Sequence, residues 1–289
     1  MAVLDTASDV EVSSVATTRK RLGTLFWLAF GWITLAIALA LFANVLPIQS
    51  PTDMDLLGRR LAPNTEHWLG TDGLGRDTLA RLIFGARISL TVGLGASLIG
   101  LVLGGTIGIV AAYYRGRFER LAMGGVDVLL AFPPLVLALA ITAYLGQSVF
   151  NLTATIGFLS IPPFARVARA ATLGLAQRDF VIAARALGAT DARILLCELL
   201  PNVLLPLTAF FLLAVAVVIV AEGALSVLGL GVPPPQPSWG SMIGEGRESL
   251  DVAPWVAFLP AGTMFLTVLS FNIVGDTLRA ITDPREGTL

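Results

Sequence analysis

Residues 25–46, LFWLAFGWITLAIALALFANVL, hold no charged side chain in 22 positions. At 1.5 Å per residue such a helix reaches about 33 Å, enough to cross the ~30 Å hydrocarbon core of a bilayer. A helix apolar on every face has nothing to offer water, and in lipid its backbone groups are satisfied internally. The run therefore predicts a membrane helix. Ala-x-Ala patterns at Ala36–Ala38 and Ala38–Ala40 raise the alternative of a cleaved signal peptide. A signal's apolar stretch is only about 7–15 residues long, and further apolar runs follow, so the segment reads as a retained anchor.

Five more runs meet the same length test, at approximately 88–113, 121–146, 152–174, 203–224 and 255–277. Only 13% of the 289 residues are charged against 55% hydrophobic, whereas a soluble domain carries about 25% charge. The excess apolar surface has to face lipid. The expectation is an all-α, polytopic membrane protein with six transmembrane helices. An even count puts both termini on one side, and basic residues choose the side. With both ends inside, cytoplasmic segments hold 13 of the 19 Lys and Arg residues: Arg19, Lys20, Arg21, Arg115, Arg117, Arg120, Arg166, Arg169, Arg178, Arg185, Arg193, Arg279 and Arg285. Outer segments hold Arg59, Arg60, Arg76, Arg81 and Arg247, with Arg87 at a membrane edge. The resulting organisation is a cytoplasmic tail (1–24), a first span (25–46), an extracytoplasmic loop (47–87), a core of five spans (88–278) and a second cytoplasmic tail (279–289).

Two of the runs contain adjacent prolines, Pro133-Pro134 and Pro162-Pro163. Proline removes a helix donor and kinks the chain, so all four are candidates for shaping a translocation path. Gly100, Gly104 and Gly108 recur every fourth residue in the second run, a spacing that lets two helix backbones approach closely.

Scarcity excludes several chemistries. The only lysine is Lys20 and the only histidine His67. A phosphate-binding Walker loop needs a lysine after its glycines, and paired-histidine metal motifs need two histidines. The segment HWLGTDGLGRD (67–77) crowds Gly70, Gly73 and Gly75 together, but it lacks the third glycine of a dinucleotide fingerprint and precedes a membrane helix. It reads as a structured turn, with Asp72, Arg76, Asp77 and Arg81 available to pair across it. Intramembrane proteolysis would need a base beside a nucleophile or two facing carboxylates; Asp127 and Glu222 lie in different spans. No catalytic or metal site is expected, no basic tract suits nucleic acid, and Cys197 has no second cysteine to pair with.

One segment breaks the apolar pattern. DFVIAARALGATDARILLCELLP runs from Asp179 to Pro201 between two of the longest apolar runs. Phe180, Ala183, Ala184 and Leu187 fall at i, i+3, i+4 and i+7, one stripe of a short helix. Gly188 suits a left-handed helix stop, and Thr190 or Asp191 suits the cap of a second helix beginning near Ala192. Two short helices meeting at a glycine make a compact knob, thin in side chains, on the cytoplasmic face.

These residues resemble the cytoplasmic coupling loop of binding-protein-dependent ABC importer permeases, whose pattern is Glu-Ala-Ala, three residues, Gly, nine residues, Ile, one residue, Leu-Pro. Ala183, Ala184, Gly188, Leu200 and Pro201 stand at that spacing; Ile182 replaces the usual Glu and Glu198 the usual Ile. The stretches 67–90 and 223–250 are similar to the C-type permease subunit of dipeptide, oligopeptide and nickel importers. The resemblance spans about residues 20–285.

It implies a type I ABC importer permease fold in a bacterial inner membrane. This subunit would form half of a pore with a B-type partner permease. Its coupling helices near 177–200 would dock into a groove on an ATP-binding subunit; two such subunits or domains would hold the ATP and magnesium, and an extracytoplasmic binding protein would deliver cargo. The docking residues are then Asp179, Ala183, Ala184, Arg185, Gly188 and Asp191, with Pro201 at the start of the fifth span. Relatives of this type carry dipeptides, oligopeptides, nickel chelates or haem. An ion-coupled secondary transporter is the rival reading, since the kinked runs suit it, although the span centres are nearly free of charge.

Overall fold

The computed structural model describes residues 22–282. The tail residues Arg19, Lys20, Arg21 and Arg285 used in the charge argument lie outside them. Among the described residues the ordered structure is helical throughout, apart from one isolated antiparallel bridge between Thr71 and Asp77. The helices are α1 (Thr24–Phe42), α2 (Thr78–Ile99), α3 (Gly105–Tyr114), α4 (Gly116–Leu130), α5 (Pro134–Leu145) and α6 (Val149–Leu175). They continue with α7 (Asp179–Ala186), α8 (Asp191–Arg193), α9 (Leu200–Val227), α10 (Trp239–Gly246) and α11 (Trp255–Thr282). Single π turns, Gly100–Gly104 and Ile194–Leu199, fuse α2 to α3 and α8 to α9.

Four continuous helices are long and apolar enough to cross a membrane: Thr24–Phe42, Thr78–Tyr114, Asp191–Val227 and Trp255–Ile281. The pair α4 and α5 becomes a fifth if taken as one broken span, bent by 86°. By this measure the count is four or five where apolar runs suggested six. The reason is local. Pro133 and Pro134 interrupt the third run, and Pro134 opens α5 at its first turn, where its missing N–H costs nothing. The fourth run lies in α6, whose 27 residues would suffice by length, but it carries Arg166 and Arg169 and is too polar to qualify. Pro162 and Pro163 sit inside α6, which continues through them.

Two helices begin earlier than their apolar runs. Asp77 caps α2 by accepting the Ala80 N–H at 2.7 Å, so Arg81 and Arg87 belong to its first turns. The helix containing α9 begins at Asp191, and Pro201 falls in the first turn of α9 after the π turn rather than at the start of a separate helix.

The glycine spacing is used within the chain. A methyl group on Gly104 would meet the Ile161 carbonyl and stand 2.8 Å from the Phe164 Cβ; one on Gly108 would meet the Ala165 carbonyl and stand 2.7 Å from the Ala168 Cβ. The backbones of α3 and α6 thus touch, while Phe164, Ala168, Val203 and Leu207 close the space between α6 and α9. Gly108→Leu should force the helices apart at a cost of about 1–3 kcal/mol. Its thermal midpoint in detergent should fall, and an unchanged midpoint would refute the contact.

Candidate coupling surface and buried polar cluster

α7 ends in a closed hydrogen-bonded stop. Gly188 adopts φ +81°, the Gly188 N–H donates to the Arg185 carbonyl at 3.0 Å, and the Ala189 N–H donates to the Ala184 carbonyl at 3.0 Å. This pair of bonds around a left-handed glycine is the Schellman stop. Thr190 then caps α8 by accepting the Arg193 N–H at 3.4 Å. Both expectations for the local structure, the glycine turn and the cap, are met.

The knob has an inner and an outer face. Val181, Ile194 and Leu199 are fully buried and form a small core with Tyr113, Leu175, Ala176 and Ala184 packed around it. Burying three such side chains contributes about 1.5–3 kcal/mol each, so the knob holds a fixed position on the spans. Phe180, Ile182 and Leu187 are exposed by 39%, 56% and 88%. Ala183 and Gly188 are exposed beside them, and a methyl on Gly188 would meet no heavy atom within 4 Å. Of the predicted stripe only Ala184 turns inward; the rest forms an apolar outer surface that the chain itself does not cover.

Arg185 and Asp191 are brought together by a residue that sequence reasoning missed. The Tyr113 hydroxyl, at the end of α3, donates to Asp191 Oδ1 at 2.6 Å, and the Arg185 guanidinium lies 5.8 Å from the Tyr113 ring centre. Arg185 also donates to the Tyr113 hydroxyl at 3.5 Å. Tyr113 therefore ties the knob to the second span. Nothing in its local sequence marks it, because its partners lie more than seventy residues away. Asp179 stands in the first turn of α7, where its charge complements the helix dipole. Tyr113→Phe keeps the ring and removes the hydroxyl, a loss of about 1 kcal/mol in knob positioning. Transport activity should fall by only a few-fold, and a complete loss would contradict this minor tethering role.

At the far end of α2 lies a cluster of opposite character. Asp72 accepts the Leu74 and Arg76 N–H groups at 2.8 and 3.0 Å and the Arg76 side chain at 2.7 Å. Arg76 and Arg81 converge on Glu245 Oε2 at 2.5 and 2.8 Å, and Arg81 also lies 3.3 Å from Asp72. Pairing among Asp72, Arg76 and Arg81 was expected across the turn, and all three are buried, at 3%, 4% and 1% exposure. Asp77 pairs elsewhere, with His67 at 3.0 Å. Glu245, from α10, is the member that sequence spacing does not reveal. Gly70 and Gly75 adopt φ +73° and +77° in this turn, confirming a structured loop.

Asp127 and Glu222, the two acidic residues nearest the spans, have different partners. Asp127 pairs with Arg166 at 2.6 Å, on side chains more than half exposed. Glu222 is fully buried and bonded to serine hydroxyls.

The described residues form a bundle of long apolar helices that carries a small helical knob with an uncovered apolar face. Residues 104–287 match the family described as binding-protein-dependent transport system inner membrane component, and the chain belongs to it. It is an inner-membrane ABC importer permease.

Among curated proteins, the chain is 40% identical over 255 residues to the glutathione transport system permease protein GsiD of Pectobacterium atrosepticum, covering 88% of this chain and 85% of that one. It is 42% identical to the GsiD protein of Escherichia coli O1:K1 / APEC, covering 88% and 84%. Among solved structures, an inward-facing MetNI methionine ABC transporter chain aligns with a TM-score of 0.58 at 19% identity, covering 70% of this chain and 96% of that one. That similarity shows the fold alone, and it is the type I ABC importer permease fold expected from sequence.

Proposed function

We propose that this subunit forms one half of a peptide-translocating pore and transmits ATP-driven motion through the knob at Asp179–Pro201. The observation that carries the reading is the division of the knob into a buried anchor (Val181, Ile194, Leu199) and an uncovered apolar outer face (Ala183, Leu187, Gly188). An element built this way is rigid toward its own spans and open toward a partner. Two ATP-binding subunits bear the ATP and magnesium, and a B-type permease completes the pore. An extracytoplasmic binding protein delivers the cargo. The chain needs no catalytic residue, because its part is rigid-body transmission. Both termini are cytoplasmic, with α6 and the bent α4–α5 pair completing six spans. In that arrangement Asp179, Ala183, Arg185, Gly188 and Asp191 lie at the docking face, with Ala184 behind them, packed on the anchor. Pro201 starts the membrane part of α9, and Pro133, Pro134, Pro162 and Pro163 shape the path.

The cargo is a dipeptide or short peptide. The GsiD relatives, named for transport of the tripeptide-like thiol glutathione, support this reading. Uptake of labelled dipeptide and of glutathione into proteoliposomes holding the whole complex tests it. Dependence on ATP and on the binding protein is the expected result. Uptake driven by a proton gradient alone would replace this reading with an ion-coupled carrier.

A further inference from the structure

Glu222 lies near the end of α9, fully buried, and forms no ion pair among the described residues. An ionisable side chain in a membrane helix is costly, so one without a countercharge calls for another use. Ser89 of α2 donates to one carboxylate oxygen at 3.0 Å, and Ser226 donates to the other at 2.6 Å. Ser89 in turn accepts the Trp239 backbone N–H at 3.2 Å, and Ser238 lies 3.4 Å from the Ser226 hydroxyl. A serine has one proton to give. Ser226 gives its proton to Glu222, so Ser238 is the donor in the last pair. Every donor in this network points toward the Glu222 carboxylate, which gathers α2, α9 and the first turn of α10 onto one acceptor.

The packing around it is equally tight. Trp239 is fully buried with its indole N–H on the Leu82 carbonyl at 3.1 Å. A methyl on Gly240 would stand 2.6 Å from the Gly223 Cα, so the α9 and α10 backbones touch beside the carboxylate. The other end of α10 is held by Glu245 on Arg76 and Arg81. Between these ties the helix is flanked by clefts on both sides. One is apolar, roughly 440 Å³, between Val227, Ile243 and Met264. The other is of mixed character, roughly 200 Å³, between Gln147, Ser241 and Glu245. α10 is a strut tied at two carboxylates with open space along its length.

We propose that Glu222 is a positioning residue that holds the first turn of α10 against α2 and α9, keeping the outer end of the path closed between transport events. The outer location of α10 rests on the topology given above. Loss of the acceptor frees the α10 turn, and cargo transported per ATP hydrolysed then falls.

The test places a reporter cysteine at Met242, which is 2% exposed and faces Gly85 of α2, with Cys197→Ser removing the native thiol. Labelling by a membrane-impermeant maleimide, added outside proteoliposomes of the full complex, should be slow in this background. Glu222→Ala should accelerate it at least tenfold, and Glu222→Gln, which retains an acceptor oxygen and the side-chain shape, should restore slow labelling. Ser89→Ala, which removes the hydroxyl shared by Glu222 and Trp239, should accelerate it several-fold and decides the matter if Glu222→Ala does not assemble. In the assembled Glu222→Ala complex, cargo per ATP should fall at least tenfold, whereas simple destabilisation lowers uptake and hydrolysis together. Unchanged labelling in both alanine variants, or an unchanged transport ratio, would overturn the positioning role. Absence of ATP-driven uptake by the unsubstituted complex would instead overturn the importer reading.

Discussion

Gly188→Trp should reduce ATP-driven uptake by at least ~100-fold, equivalent to about 2.7 kcal/mol of docking free energy, while leaving the protein in the membrane at its normal level. Two effects of the substitution separate cleanly. Any L side chain at φ +81° bears the left-handed backbone cost of about 1–2 kcal/mol, so Gly188→Ala measures that cost alone. Asparagine tolerates this conformation better than other residues, and Gly188→Asn should retain most activity. Bulk is the second effect. Beyond the two adjoining residues, no heavy atom lies within 4 Å of a Cβ placed there, and Gly188 is exposed, so added bulk projects toward the partner's side. Loss specific to tryptophan therefore reports the docked partner. Equal uptake by the Trp and Ala variants would remove Gly188 from the interface.

Arg81→Ala should have the largest effect on stability. Its guanidinium is 1% exposed and lies between Asp72 and Glu245. Removing one member of a buried charge cluster leaves the others unpaired at a cost of about 3–5 kcal/mol. For a chain of this size the thermal midpoint should fall by about 10 °C. Arg81→Lys should recover part of that, since the ammonium restores charge without the planar fork. The exposed pair Arg166–Asp127, with side chains 56% and 62% accessible, is the natural control. Arg166→Ala should cost less than about 1 kcal/mol. A midpoint for Arg81→Ala within about 2 °C of the parent protein would show that the cluster of Asp72, Arg76, Arg81 and Glu245 contributes little to the fold.

The elements legible in sequence were those governed by short-range rules. The helix stop at Gly188 and the cap at Thr190 follow from backbone preferences within a few residues, and both are present. Apolar length identified the four long spans. It failed to separate the third run into α4 and α5, because a window average over 121–146 dilutes the Pro133-Pro134 break. It also counted the run 152–174 as a span, whereas Arg166 and Arg169 reduce the apolarity of α6, a helix otherwise long enough.

What escaped depends on contacts across the chain. Glu245 reaches Arg81 over 164 positions, and Tyr113 reaches Asp191 over 78. The helical stripe Phe180–Leu187 was legible as a pattern, but its direction was not. Periodicity alone does not tell an inward face from an outward one. Val181, which anchors the knob, lies one position off that stripe and was invisible for the same reason.

The central claim is that the outer face of the knob seats an ATP-binding subunit. Leu187, 88% exposed at the end of α7, is the side chain best placed to report it. With Cys197 replaced by serine, a cysteine at position 187 should form a short crosslink to the ATP-binding subunit in the assembled transporter, with ATP altering its yield. A cysteine at the buried neighbouring anchor Val181 should not. Crosslinking from position 187 only to the partner permease, or to nothing while the complex transports cargo normally, would contradict the account.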